Sequence, residues 1–333
     1  MAAGTQTARR GRAWEAQQRR VYRRRRLLGL GLALILLILL VRGCSAVVGG
    51  GEEDAASDQA AAPELPRGGR EILPRNRIVA YYGAPQDPEL GVLGTAPLRV
   101  SARRVEARAR QYAQPGRPAL PAFELIATLA QSAPGDDGMH RLRQSDAVIA
   151  RHLRAVRAAK GLLILDIQPG QADFMEEVRA LERWLVEPDV SLALDPEWSV
   201  PDGVQPGSVI GGTDAATVNE IADYLARIVR GRNLPQKVLI VHQFTEDMVS
   251  DRDLTRGRPG VALISNMDGF GTAEVKTNVY GQLSIGQPRS QRLRRRSPEP
   301  YNGFKLFFRE DTGLMEPREV LALDPAPDVV VYE

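Results

Sequence analysis

Residues Gly161–Trp198 read GLLILDIQPGQADFMEEVRALERWLVEPDVSLALDPEW, and their pattern decides the fold. Gly161 to Ile167 is a near-continuous apolar run, as expected of a strand covered on both faces. Pro169-Gly170 breaks it. Phe174, Val178, Leu181 and Leu185 then recur at helical spacing, with Glu176, Glu177, Arg179 and Glu182 between them, which predicts one amphipathic helix over 172–186. Glu187-Pro188-Asp189 ends the helix, and Val190–Leu194 is a second buried strand. Two buried strands joined by one helix form a parallel pair with a right-handed crossover. Both end in acid, Asp166 on the first, Asp195 and Glu197 on the second. Parallel strands deliver their C-terminal ends to one face, so these carboxylates should converge there, with Asp195 and Glu197 about 6–7 Å apart on one side of their strand.

The same alternation extends in both directions. Strands are expected at 77–82, 119–129, 237–242, 260–266, 303–308 and 328–332, making eight with the central two. Helical segments are expected at 98–112, 145–160, 214–228 and 317–321. A short turn fits 245–249, and 272–283 is weakly patterned. Eight strands separated by helices over residues 76–333 predict a (β/α)8 TIM-type barrel of typical size. The alternative, an open doubly wound sheet, would need no eighth strand.

Ahead of the barrel lies a leader of a different kind. Arg23–Arg26 precede LLGLGLALILLILLV, Leu27–Val41, which carries no charge. Continued to residue 48, this reaches the length of a membrane span, with Arg42 near the outer interface. The arginine block at 1–26 should stay cytoplasmic, so the remainder is expected outside as a single-pass, membrane-anchored extracytoplasmic protein. Cys44 is the single cysteine, so no intrachain disulfide forms. Leu40-Val-Arg-Gly-Cys44 also resembles a lipoprotein acceptor, so lipidation at Cys44 and plain secretion after cleavage are the alternatives to an uncleaved signal anchor. Residues 49–75, rich in Gly, Ala, Pro and acid, read as a disordered linker.

Charge follows the same division. The chain is +3 overall, but residues 1–50 hold ten Arg against one Glu; removing that +9 leaves −6 for the rest. The basic pI belongs to the leader, and no nucleic-acid partner is expected for the body. The run Arg292–Arg296 is the local exception and reads as a solvated loop.

The expected strand ends carry Tyr82, Glu124, Asp166, Gln168, Asp195, Glu197, Trp198, His242, Gln243, Asn266, Asp268, Lys305 and Tyr332. A polar layer inside a barrel is costly unless each member finds a partner, so a ring of this kind points to a pocket. Carboxylates amid Tyr, Trp, His, Gln and Asn suit a sugar-processing site: acids protonate a leaving oxygen, amides bond hydroxyls, and aromatics stack on pyranose faces. With three histidines and no H-x-H or H-E-x-x-H, neither a metal nor a cofactor is expected. No G-x-S-x-G occurs, and the one cysteine is in the leader, which excludes the common nucleophilic classes. Val209-Ile-Gly-Gly-Thr-Asp214 reads as a loop-to-helix turn, with an anion nest as its alternative. Met267, Phe307 and Phe308 read as barrel filling.

Leu194-Asp-Pro-Glu-Trp198 resembles the acid-ended strands of glycoside hydrolase barrels, including the chitinase-like and lysozyme-like secreted families. Here Leu-Ala-Leu precede Asp195, and Pro196 is the spacer. The resemblance implies Glu197 as general acid, Asp195 tuning it through like-charge repulsion, and Asp166 or Asp268 as second carboxylate. Tyr82, Glu124, Gln168, Trp198, His242, Gln243, Asn266, Lys305 and Tyr332 would bind substrate, a polysaccharide or cell-wall glycan. A catalytically inactive glycan- or partner-binding barrel is the alternative reading.

Overall fold

The structure, a computed structural model, describes residues 62–284 and 300–333. Segment 27–48, expected to be a membrane anchor, Cys44 and Arg292–Arg296 lie outside the described residues. Among the described residues, no helix is long and apolar enough to cross a membrane.

Eight parallel strands close on themselves: β1 (Arg77–Gly83), β2 (Ala119–Ala130), β3 (Leu162–Ile167), β4 (Val190–Leu194), β5 (Lys237–Gln243), β6 (Val261–Met267), β7 (Tyr301–Leu306) and β8 (Val329–Tyr332). Each pairs with the next, and β8 returns to β1, with Ile78 opposite Val329 and Tyr81 opposite Tyr332. The closed α/β barrel agrees with the sequence reading. Around it lie α1 (Leu98–Tyr112), α2 (Asp146–Ala158), α3 (Phe174–Ala180), α4 (Glu182–Leu185), α5 (Ala215–Gly231), α6 (Ala273–Leu283) and α7 (Pro317–Leu321). Asp173 caps α3 by accepting from the amides of Met175 and Glu176, and Asp214 caps α5 through the amide of Thr217.

Two expectations are corrected. The helix over 172–186 is two pieces, because the Leu181 amide reaches Val178 O (3.1 Å) as well as Glu177 O (3.3 Å) and tightens the turn between them. The linker over 49–75 is too long at its C-terminal end. Leu65, Ile72 and Leu73 are buried with the interior cluster of the barrel. The Ile72 and Leu73 amides donate to Gln236 Oε1 at 2.7 and 2.8 Å, and Arg70 donates to the carbonyls of Pro63, Asn233 and Leu234. These contacts lie by the N-terminal start of β5, so residues 62–75 plug the bottom of the barrel. Three apolar side chains hidden among polar neighbours carried too little periodicity to be read as structure.

Strand alternation sorts every barrel side chain. Outward positions such as Leu163, Leu165, Leu192, Leu239 and Leu263 pack under the helices. Inward positions are aliphatic at the bottom (Ile78, Leu120, Leu162, Val238, Val329) and in the middle (Ala80, Ala122, Ile164, Ala193, Ile240, Ile264, Val331). At the top the same faces carry Tyr82, Glu124, Asp166, Asp195, His242, Asn266 and Lys305, all buried.

Candidate active site

The top layer is assembled by register. Tyr82 stands beside Glu124 across β1 and β2, and His242 beside Asn266 across β5 and β6. Gly303 stands opposite Asn266, and a Cβ there would lie 2.2 Å from Asn266 Oδ1. Glycine at that point is what makes room for the amide inside the barrel.

Above the layer opens a cleft of about 630 Å³, within the range of small-molecule sites. Its polar lining includes Tyr82, Gln168, Asp195, Glu197, Asp268, Lys305 and Glu333; Trp198, Phe244, Phe270 and Phe307 form aromatic walls. Asp195 and Glu197 do not sit on one straight strand as expected. β4 ends at Leu194, and Pro196, with no amide for the ladder and φ suited to a helical start, opens a 3-10 turn over Pro196–Trp198. That turn swings Glu197 and Trp198 across the mouth while Asp195 stays at its root. The loop at 211 clamps it: the Gly211 amide donates to Glu197 O at 2.7 Å, and a Cβ at 211 would lie 2.2 Å from Ser199 O. Close approach therefore explains this glycine.

Six carboxylates (Glu124, Asp166, Asp195, Glu197, Asp268, Glu333) surround two cations, His242 and Lys305. Lys305 Nζ donates to Asp268 Oδ2 at 2.9 Å and Glu333 Oε2 at 2.7 Å, and lies 3.8 Å from the centre of the Tyr82 ring. His242 Nε2 meets Glu124 Oε1 at 2.7 Å, and Nδ1 meets Asp268 Oδ2 at 3.0 Å. Burial works against the charge on His242, but Glu124 and Asp268 outweigh it and raise the imidazole well above its ordinary value. Burial likewise opposes ionisation of Asp268, yet Lys305 and His242 hold its carboxyl well below the usual range.

The other side of the site behaves oppositely. Tyr82 Oη accepts from Gln168 Nε2 at 3.0 Å and lies 3.2 Å from Asp166 Oδ2 and 3.3 Å from Asp195 Oδ2. A hydroxyl has one proton to give, so it serves only one of the two acids, and the other contact is favourable only if that acid is protonated. Burial, then Asp195, drives Asp166 well above the carboxylate range; burial, then Glu197, pushes Asp195 up to about 8. Glu197 is pushed up to about 7 by burial first and the charge on Asp268 second. Its side chain makes no hydrogen bond or ion pair among the described residues.

A wholly buried carboxylate elsewhere shows what structural use looks like here. Glu177 on α3 receives Arg141 at 2.7 Å, Arg143 at 2.8 Å and Thr128 at 3.2 Å. No arginine reaches Asp166 or Asp195, and one oxygen of each, with Glu124 Oε2, has no hydrogen-bond partner among the described residues. Groups left so are the mark of a site built for something other than stability.

Of the residues expected at the mouth, Tyr82, Gln168, Asp195, Glu197, Trp198, Asp268 and Lys305 line the cleft, while Glu124, Asp166, His242 and Asn266 are buried beneath it. Two are misplaced by the sequence reading. Gln243 follows inward-facing His242 and so turns outward, lying with Val218, Val241 and Val249 toward α5. Tyr332 also faces outward, its hydroxyl 2.6 Å from that of Tyr112 on α1. Alternation from Val329 and Val331 leads instead to Glu333, which the sequence reading missed. Phe244, Phe270 and Phe307 were missed as cleft walls because they follow their strands, where alternation no longer applies; Phe307 is not barrel filling. No protein-family model matches the chain, and no curated protein is similar to it.

Proposed function

We propose that this chain is a membrane-tethered, extracytoplasmic glycoside hydrolase acting on cell-envelope or environmental glycan by carboxylate acid/base catalysis. The observation that carries the reading is a single aromatic-walled cleft with two carboxylates in contrasting settings. Glu197 is unpaired and pushed up to about 7, while Asp268 is held by Lys305 and His242. Titratable pairs whose surroundings drive them apart are how such sites divide acid from base. In this reading Glu197 protonates the glycosidic oxygen. Asp268 is the second carboxylate, preferred to Asp166 because it lines the cleft and Asp166 does not. Burial and then the charge on Asp268 keep Glu197 protonated, while Asp195, pushed up to about 8 by burial and Glu197, lies beneath it as the neutral acid. Trp198 and Phe270 offer faces for pyranose rings, and Gln168 offers an amide for hydroxyls. The apolar segment 27–48 and the reading of Cys44 support a tether to the outer face of a membrane.

A non-catalytic glycan-binding barrel is the second reading, favoured by the cations bonded to Asp268. The two part on one measurement: release of reducing sugar from purified wall polymers by the full chain in mild detergent. Glu197→Gln should lower the rate about 10²–10⁴-fold, the range for losing a general acid, while leaving the fold intact. Equal, residual sugar release by wild type and variant on every glycan would leave the binding reading.

A further inference from the structure

Beneath the cleft, we infer that Glu124, Asp166 and His242 form a site for one divalent cation of the zinc or manganese type. The three come from β2, β3 and β5, and one ligand atom from each lies within 4.8 Å of the others. No sequence spacing announces this set, because the closure of the barrel alone brings it together. All three side chains are fully buried, and Glu124 Oε2 and Asp166 Oδ1 have no partner among the described residues. A buried carboxylate oxygen without a donor is costly, and Glu177 shows that this chain supplies arginines where a carboxylate is structural. Here none is supplied, and a cation would satisfy the orphaned oxygens.

The surroundings of His242 point the same way. Asp268 Oδ2 lies 3.0 Å from Nδ1 and is itself fixed by Lys305 at 2.9 Å. That contact holds the proton on Nδ1, and Nε2, 2.7 Å from Glu124, is the nitrogen that releases its proton to solvent when the ion binds. Carboxylate–histidine–metal relays use this arrangement, with the acceptor on one nitrogen and the ion on the other. A donor set of one imidazole and two carboxylates suits Zn²⁺ or Mn²⁺; Ca²⁺ needs six to eight oxygens. Tyr82, which contacts Asp166 at 3.2 Å, also lines the cleft, so the ion would adjoin the cavity above it. The inference stands apart from glycan cleavage and can hold or fail independently of it.

The test uses the full chain, stripped with chelator, then given Zn²⁺, Mn²⁺ or Mg²⁺ alone. Elemental analysis after desalting should find close to one equivalent of Zn²⁺ or Mn²⁺ and little Mg²⁺. The midpoint of thermal unfolding should rise by about 5 °C at a hundredfold excess over Kd. Glu124→Gln, which keeps the side chain's shape, should weaken binding more than about 100-fold, and Asp268→Asn about 10–100-fold as the residue orienting His242. Glu197→Gln should bind as wild type does, which separates loss of the ion from loss of sugar cleavage. The proposal is overturned if stripped wild type takes up no ion, or if Glu124→Gln binds it with unchanged affinity.

Discussion

The two ends of this barrel are built from the same eight strands, and they solve opposite problems. At the bottom, inward positions are mostly aliphatic, and Leu65, Ile72 and Leu73 close the opening, the amides of Ile72 and Leu73 held by Gln236. At the top, inward positions are polar and mostly ionisable, three carboxylate oxygens have no hydrogen-bond partner among the described residues, and a cleft of about 630 Å³ stays open. Burial at the first end stabilises the fold. Burial at the second sets protonation states at the expense of stability, as expected where a site rather than a core is being held.

If that contrast is right, truncation at the bottom and neutralisation at the top should move stability in opposite directions. Leu73 is fully buried, so Leu73→Ala should cost about 2–5 kcal/mol, lost transfer energy plus a cavity. Chemical denaturation at neutral pH would read it. A loss below about 1 kcal/mol would mean that residues 62–75 merely lie against the barrel.

Glu197→Gln should do the reverse. The carboxyl has its pKa raised in the folded state to about 7, from an ordinary value near 4.5. A raised acid binds its proton more tightly folded than unfolded, so its contribution is fully present below about pH 4.5 and is lost as pH rises through about 7. Removing the carboxyl should therefore stabilise the protein by up to about 3 kcal/mol above pH 7 and hardly at all at pH 4, at 1.36 kcal/mol per unit. The same proton is the one donated in the proposed reaction, so the wild-type rate should fall as pH rises through about 7. Parallel stability profiles for wild type and variant would show that neither Asp268, Asp195, Lys305, His242 nor Glu333 sets Glu197 apart as described.

How much of this was legible beforehand follows from the periodicities involved. A barrel strand buried on both faces makes an apolar run, and a covering helix repeats about every 3.6 residues, so both sheet order and helix positions stood out. Inward and outward are separated by one residue, and Gln243 and Tyr332 were misplaced by that single step. Glu333 continues the alternation of β8 one residue past its end, whereas Phe244 and Phe270 lie beyond regular strands, where no period aims a side chain. Glu124, Asp166 and His242 are far apart in the chain, and only closure of the ring makes them neighbours.

The misplaced tyrosine makes its own test of where the top of the barrel ends. Tyr332→Phe removes a hydroxyl bonded to Tyr112 in a buried setting between β8 and α1, which should cost about 1–3 kcal/mol by leaving a polar partner unsatisfied. Because that side chain points away from the cleft, sugar release per folded molecule should not change. A lowered rate with unchanged stability would put the residue back among the substrate contacts.

The smallest expected effect bears on the aromatic wall. Phe270 is 65% exposed yet leans edge-on against Phe307, ring centres 5.8 Å apart, at the rim of the cleft. An apolar ring so exposed adds little to folding, so its position needs another account. A sugar face stacked on it would gain roughly 0.5–1.5 kcal/mol, in line with other ring contacts. Phe270→Ala should therefore raise KM for a long glycan about 2–10-fold, leave kcat alone, and shift stability by less than about 0.5 kcal/mol. Gain or loss of binding is then separable from folding, which no substitution in the bottom layer allows: there, each side chain removed takes the barrel's own packing with it. An unchanged KM would strip the rim of its proposed role and leave recognition to the enclosed part of the cleft, around Trp198 and Gln168.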